Sequence, residues 1–166
     1  MTYNKLEKEF EKYITLRNIK LLLHWDTNVN LPKNSLPYRE KQVSYINNKI
    51  NDFLRSEHLQ LLLKKSDKKN LNQWQQRNLK LIHKIKEENE IYPKKLLESI
   101  STHSMRCESL WRKAKATNQF TIVKDALKSL FLLIKEKANR RGDWLQKNNY
   151  DALLDIHSSG LTCPKI

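Results

Sequence analysis

Five histidines are the residues of this sequence that first suggest metal chemistry. On a helix, a catalytic zinc ion is commonly held by His-Glu-x-x-His, in which two imidazoles one turn apart bind the metal and the glutamate activates its water. The residues that directly follow the five histidines are Trp25, Leu59, Lys84, Ser104 and Ser158. No histidine precedes a glutamate, so this motif is absent from the sequence.

A second arrangement that could hold a metal is the pair His103 and Cys107, which lie four residues apart and would share one helix face. Third and fourth ligands at matching spacing are missing, although His157 and Cys163 lie near the C-terminus. Cys107 also falls in the apolar phase of its helix, and free cysteine is among the most buried residue types. We favour a core role for the pair and assign no catalytic, cofactor-binding or metal-binding residue.

Nucleophilic and phosphate-binding motifs are also absent. The only glycines are Gly142 and Gly160, so the sequence holds neither a Gly-x-Ser-x-Gly elbow nor a glycine-rich phosphate loop. Trp74, Trp111 and Trp144 fall inside predicted helices and are expected to pack in the core or between helices.

The charge of the chain leaves one binding function open. With 32 basic and 18 acidic residues, the formal net charge is +14, which is typical of proteins that bind nucleic acid or another anionic partner. The basic tracts 64–69 and 135–141 lack regularly interleaved aromatic residues, so stacking on single-stranded nucleic acid is not indicated. Lys, Asn and Ile are also the residues that AT-rich genomes favour, and we prefer that explanation. A basic helical module for nucleic acid or acidic proteins is the alternative.

The composition predicts an all-α protein. Two glycines and four prolines supply few of the turns that hairpins need, and the abundant Leu, Lys, Glu, Gln and Arg are good helix formers. We expect one helical segment, 1–166, folded as an antiparallel bundle of about four long and two short helices. Predicted helices cover 3–26, 35–54, 57–63, a stretch capped by Asn70, a stretch opened by Pro93, 121–145 and 150–156.

The first helix shows the clearest amphipathic pattern. Its predicted inner face consists of Leu6, Phe10, Tyr13, Leu16, Ile19 and Leu23. Val29 and Leu31 are expected to point inward from an extended connector that ends at Pro32.

The longest apolar stretches, 21–23 and 130–134, are far too short to cross a membrane. Residues 1–10 mix charged and apolar side chains, unlike a signal peptide, and two cysteines do not form a disulfide framework. We therefore expect a cytoplasmic location and no membrane partner.

One cluster differs from ordinary bundle sequence: Leu22-Leu23-His24-Trp25-Asp26-Thr27-Asn28-Val29-Asn30-Leu31-Pro32, followed by Arg39-Glu40-Lys41-Gln42. In physical terms this is a helix–loop–helix corner. We expect Arg39 to donate hydrogen bonds to Asp26 or to the unpaired carbonyls that end the first helix.

The same cluster resembles the N-terminal signature of the Taq-type thermostable carboxypeptidases, Leu-x-Trp-Asp-x-x-Val-x-(Met/Leu)-Pro followed by Arg-x-x-Gln. Two later stretches resemble the family in the same order. The first is Tyr92-Pro93 with Leu96-Leu97, which leads to Trp111-x-x-Ala114-Lys115-x-x-Asn118-x-Phe120, and the second is Tyr150-Asp151-Ala152-Leu153-Leu154-Asp155 with Gly160-x-Thr162. Departures include Ser35-Leu36 for Gly-Ala and Gln119 for Asp.

The resemblance implies an all-α metallopeptidase that removes residues from peptide C-termini with zinc or a similar divalent ion. In that family the metal ligands lie well beyond the region matched here, which is about the first third. The resemblance therefore predicts a truncated or split N-terminal region, inactive alone, with an exposed apolar face. If the enzyme is split, a separately encoded catalytic half is the expected partner, and a decayed gene is the alternative. The resemblance also implies a homodimer for an intact enzyme.

Overall fold

The computed structural model describes residues 2–32, 34–66 and 71–163, and within these ranges the chain forms seven α-helices and no β-strand. The all-α prediction is therefore confirmed. Two helices have nine residues and the others have 18 to 28, so there are five long helices rather than about four. Their antiparallel arrangement stays a prediction. The helices are α1 (Thr2–Val29), α2 (Leu36–Leu54), α3 (Glu57–Lys65), α4 (Gln73–Glu90), α5 (Lys94–Thr117), α6 (Thr121–Leu145) and α7 (Asn149–His157).

The first helix is longer than predicted. It continues beyond Asp26 to Val29, and the Asn30 amide still donates to the Asp26 carbonyl at 2.9 Å. Val29 is therefore helical and 61% exposed, so the prediction that it points inward from an extended connector is wrong. The last helical hydrogen bond is the one donated by Asn30. Pro32 follows it, and proline disfavours the helical conformation at the preceding Leu31, so the helix does not extend further.

Side-chain caps fix the starts of the shorter helices. The Ser56 hydroxyl accepts the Leu59 amide at the start of α3. Asn72 and Gln75 cap α4 reciprocally, because each side-chain oxygen accepts the other residue's backbone amide. Asn70, predicted to cap this helix, lies outside the described residues.

The chain divides into two compact units, 1–90 and 91–166. In the first unit, α1 packs against α2 and α3, and α4 packs against α2. Its core consists of Tyr3, Leu6, Phe10, Leu54, Leu59, Leu62, Leu63, Leu79 and Ile82. The three buried core residues that α1 contributes are Tyr3, Leu6 and Phe10, and all of them lie in its first ten positions. The grouping of 1–166 into one domain stays a prediction.

In the second unit, α6 packs against both α5 and α7. The buried apolar residues of α5 and α6 include Leu96, Cys107, Ala114, Val123 and Ala138. None of the described helices combines the length and the apolar character that crossing a bilayer requires.

Candidate functional site

The corner between α1 and α2 is held by the guanidinium of Arg39. Its Nη1 donates to the Leu23 carbonyl at 2.6 Å and to the Thr27 hydroxyl at 3.2 Å, and its Nη2 donates to the Asp26 carboxylate. The predicted bond to Asp26 is confirmed. The carbonyl that Arg39 reaches belongs to Leu23, well inside α1, because the helix runs further than expected. Three charge-assisted contacts from one side chain fix the two helices against each other.

This contact changes the acidity of Asp26. The hydrogen bond from Arg39 stabilises the carboxylate and lowers its pKa below the ordinary value of 3.8, although partial burial acts in the opposite direction. A lowered pKa in the folded chain means that the pair adds stability above the unfolded-state pKa. That contribution is lost as the pH falls through the folded-state pKa.

We predict that the substitution Arg39→Ala returns the pKa of Asp26 towards 3.8, because the main stabilising donor is gone. An NMR titration of the side-chain carboxyl carbon measures this. Arg112→Ala is the matched control, since Arg112 pairs with the exposed Glu108 in the other unit. An unchanged Asp26 pKa in Arg39→Ala would contradict the assignment.

Outside this corner, α1 and α2 border an open, shallow apolar groove of about 560 Å³, lined by Ile19, Leu23, Lys41, Gln42, Tyr45 and Ile46. We call it the α1–α2 groove. Ile19 and Leu23 were predicted to lie in the core, but Ile19 is 39% exposed and Leu23 is only partly buried. The reason is that the core of this unit meets only the first half of α1. The expected exposed apolar face is thus present on its second half.

A further exposed apolar face lies on α1 outside the residues that line the groove. Leu22, Trp25 and Val29 are spaced by three and four residues, so they share a helix face, and each is more than half exposed. The signature cluster therefore has two parts: polar side chains that hold the corner together, and apolar side chains that the described residues of this unit leave exposed.

The stretch around Trp111 forms a second corner. Asn118 ends α5 in the left-handed conformation, with φ of 52°, and the Gln119 amide closes the turn on the Ala114 carbonyl at 2.9 Å. Trp111 is half exposed with the Lys115 ammonium over its ring, and Trp74 is 73% exposed. The prediction placed these two tryptophans in the core or between helices, and their exposure excludes the core. Trp144 does pack, against Arg141.

The last signature stretch is held by two buried aspartates. Asp151 accepts the amides of Asn148's side chain and of Cys163's backbone, at 2.8 and 2.7 Å. Asp155 accepts from Arg141 Nη2 at 3.0 Å and from the Gly160 amide at 2.9 Å, where φ is 83°. These carboxylates fold residues 158–163 back onto α7.

Arg141 is the residue of this site that sequence reasoning missed. It was counted in the basic tract 135–141, but it is only 1% exposed and also donates from Nε to the Ala152 carbonyl at 2.7 Å. A signal was present, because Arg141 follows Ile134 and Ala138 in the apolar phase of α6.

The candidate metal pair does not assemble a site in the described ranges. Cys107 packs among apolar residues of α5 and α6, as predicted, and His103 Nδ1 lies 2.8 Å from the Ser99 carbonyl. Residues 2–32, 34–66 and 71–163 bring together no group of three His, Cys, Asp or Glu side chains that could hold an ion. These residues do not fit a zinc centre.

Three stretches resemble the Taq-type carboxypeptidases, and each forms a defined structural feature. These features are the corner held by Arg39, the turn after Trp111 and the end of α7 held by Asp151 and Asp155. The family model of the carboxypeptidase Taq (M32) metallopeptidases matches residues 5–166, and the chain belongs to this family.

Among its relatives, thermostable carboxypeptidase 1 of Pyrococcus furiosus is 23% identical over 163 residues, covering 96% of this chain and 32% of that protein. Carboxypeptidase 1 of Bacillus subtilis is 26% identical over 172 residues, covering 98% and 33%. The solved structure described as "BsuCP Crystal Structure" superposes with a TM-score of 0.88 at 22% identity, covering 99% of this chain and 33% of that one.

The chain thus spans about a third of the length of the relatives it matches, as expected of an N-terminal region. These matches give no support to the alternative of a basic nucleic-acid-binding module.

Proposed function

We propose that this chain is the N-terminal helical region of a metallocarboxypeptidase and acts only together with a portion that carries the metal. The observation that supports this is the family match over residues 5–166, which corresponds to a third of each relative. The intact enzyme would release amino acids from the C-termini of peptides.

The metal centre belongs to the other portion in this proposal. Metal-assisted hydrolysis needs an ion held in fixed geometry and a group that activates its water. The sequence lacks His-Glu-x-x-His, and its described residues do not gather a ligand set. No step of peptide hydrolysis is therefore assigned to a residue of this chain. In this proposal the chain contributes a folded helical surface against which the catalytic portion packs.

The catalytic portion is proposed to be a separately encoded half, and the intact assembly a homodimer. The DNA that follows the coding sequence tests the first point. An open reading frame with His-Glu-x-x-His there supports a split enzyme, and a frame interrupted by stop codons supports a relic. A cytoplasmic location is part of the same proposal, since Cys107 and Cys163 are both free thiols.

An activity assay tests the proposed function. Purified alone with Zn²⁺ or Co²⁺, the chain is expected to release no C-terminal amino acid from a peptide, as measured by chromatography of the products. A fusion in which this chain replaces the matched third of Bacillus subtilis carboxypeptidase 1 is expected to release amino acids, and a chelator should stop the reaction. Activity of the chain alone, or a folded but inactive fusion, would contradict the proposal.

A further inference from the structure

The α1–α2 groove is an apolar surface that stays open among the described residues of its own unit. Tyr45 is 61% exposed in the groove, and Ile19 on its other side is 39% exposed. Exposed apolar side chains gathered in a groove often mark an interaction site in a soluble protein. The hydrophobic effect favours covering it with another apolar surface.

The two helices that border the groove are also fixed against each other. Arg39 joins its two helices through the Leu23 carbonyl, the Thr27 hydroxyl and the Asp26 carboxylate. On the opposite face of α2, Val43 and Asn47 are buried. A surface that is already ordered loses little conformational entropy on binding, so a partner can use the full gain from burial.

The length of the relatives indicates the occupant. Each relative has about twice as many further residues as this chain matches, because the matched part is 32–33% of the whole. The helix α1 contributes core residues only from its first half. We infer that helices of the further portion cover its second half.

The charge of the groove favours this occupant over a second copy of the chain. Lys41 lines the groove and Lys49 lies 5.3 Å above the ring of Tyr45. Two copies that met here would bring these lysines together, on molecules that each carry +14. A partner with acidic residues around an apolar segment would instead be attracted.

We propose that the α1–α2 groove is the docking surface for the metal-carrying portion of a carboxypeptidase chain. An apolar segment of that portion sits between Ile19 and Tyr45, and its acidic residues pair with Lys41 and Lys49. This inference rests on the proposed function and names the partner surface that it requires.

The test uses the fusion with the further portion of Bacillus subtilis carboxypeptidase 1, with a protease site between the two parts. After cleavage, the two pieces are expected to elute together from a size-exclusion column. The substitution Tyr45→Glu should separate them, with at least about a tenfold loss of affinity, since it places a carboxylate in the apolar contact. Because Tyr45 is exposed, the free chain should keep its unfolding temperature.

Leu61→Glu on α3 is the matched control, because Leu61 is 51% exposed and does not line the groove. It should leave the pieces together. Tyr45→Ala adds no charge and should weaken the complex less than Tyr45→Glu. It replaces Tyr45→Glu in the test if the fusion that carries Tyr45→Glu does not fold. Co-elution should also weaken as salt rises, owing to screening of the lysines.

Three results would overturn the docking proposal: pieces that separate without any substitution, equal effects of Tyr45→Glu and Leu61→Glu, or a free chain whose self-association Tyr45→Glu abolishes. The last result would assign the groove to a second copy. Pieces that co-elute without peptidase activity would instead contradict the proposed function and leave the docking surface standing, so the two failures are distinguishable.

Discussion

Replacing Arg141 with methionine is expected to lower the free energy of unfolding of the second unit by about 3–5 kcal/mol. Arg141 and Asp155 form an ion pair at 3.0 Å with side chains 1% and 6% exposed. The substitution leaves the buried Asp155 carboxylate without its Arg141 partner, while the Lys147 ammonium stays 3.4 Å away. It also removes the donor to the Ala152 carbonyl that ties α6 to α7.

Urea denaturation followed by circular dichroism measures this loss. Arg140→Met is the matched control, because Arg140 pairs with Glu136 on the exposed face of the same helix, and its loss should change the unfolding free energy by no more than about 0.5 kcal/mol. The double variant Arg141→Met/Asp155→Asn should recover part of the loss, since the amide is uncharged yet still accepts from Gly160. Similar losses in Arg140→Met and Arg141→Met would contradict the buried pair.

The positions of the helices were predictable because their limits depend on local chemistry. Pro93 stands directly before α5, and Ser56 caps α3 as its position in sequence suggests. The Arg39 contact was also predictable, since a short loop after α1 brings the start of α2 next to the end of α1. Each of these features involves residues close in sequence, for which spacing fixes distance.

The features that could not be predicted depend on which helix faces meet. The apolar phase of α6 indicates that Arg141 is buried, but the sequence does not show that its partner is a carboxylate on α7. Helical periodicity shows that Ile19 and Leu23 share an apolar face, but not whether anything covers that face. Trp74 and Trp111 are exposed for the same reason: an aromatic residue in helical phase is buried only where another element meets it.

The first half of α1 contributes to the core of its unit, whereas its second half is largely exposed. This difference can be measured through the free energy of unfolding. Leu6 is fully buried among Tyr3, Phe10 and the core leucines of α2 to α4, and Leu22, on the same helix, is 66% exposed. Leu6→Ala should cost about 2–5 kcal/mol of unfolding free energy, because it removes apolar contacts and leaves a cavity. Leu22→Ala should change it by no more than about 0.5 kcal/mol.

Both substitutions exchange leucine for alanine inside one helix, so their difference in helix propensity is nearly the same and the contrast isolates burial. The slope of the urea transition should stay constant, since neither variant changes the surface exposed on unfolding by much. Equal losses would mean that the second half of α1 is covered in the free chain.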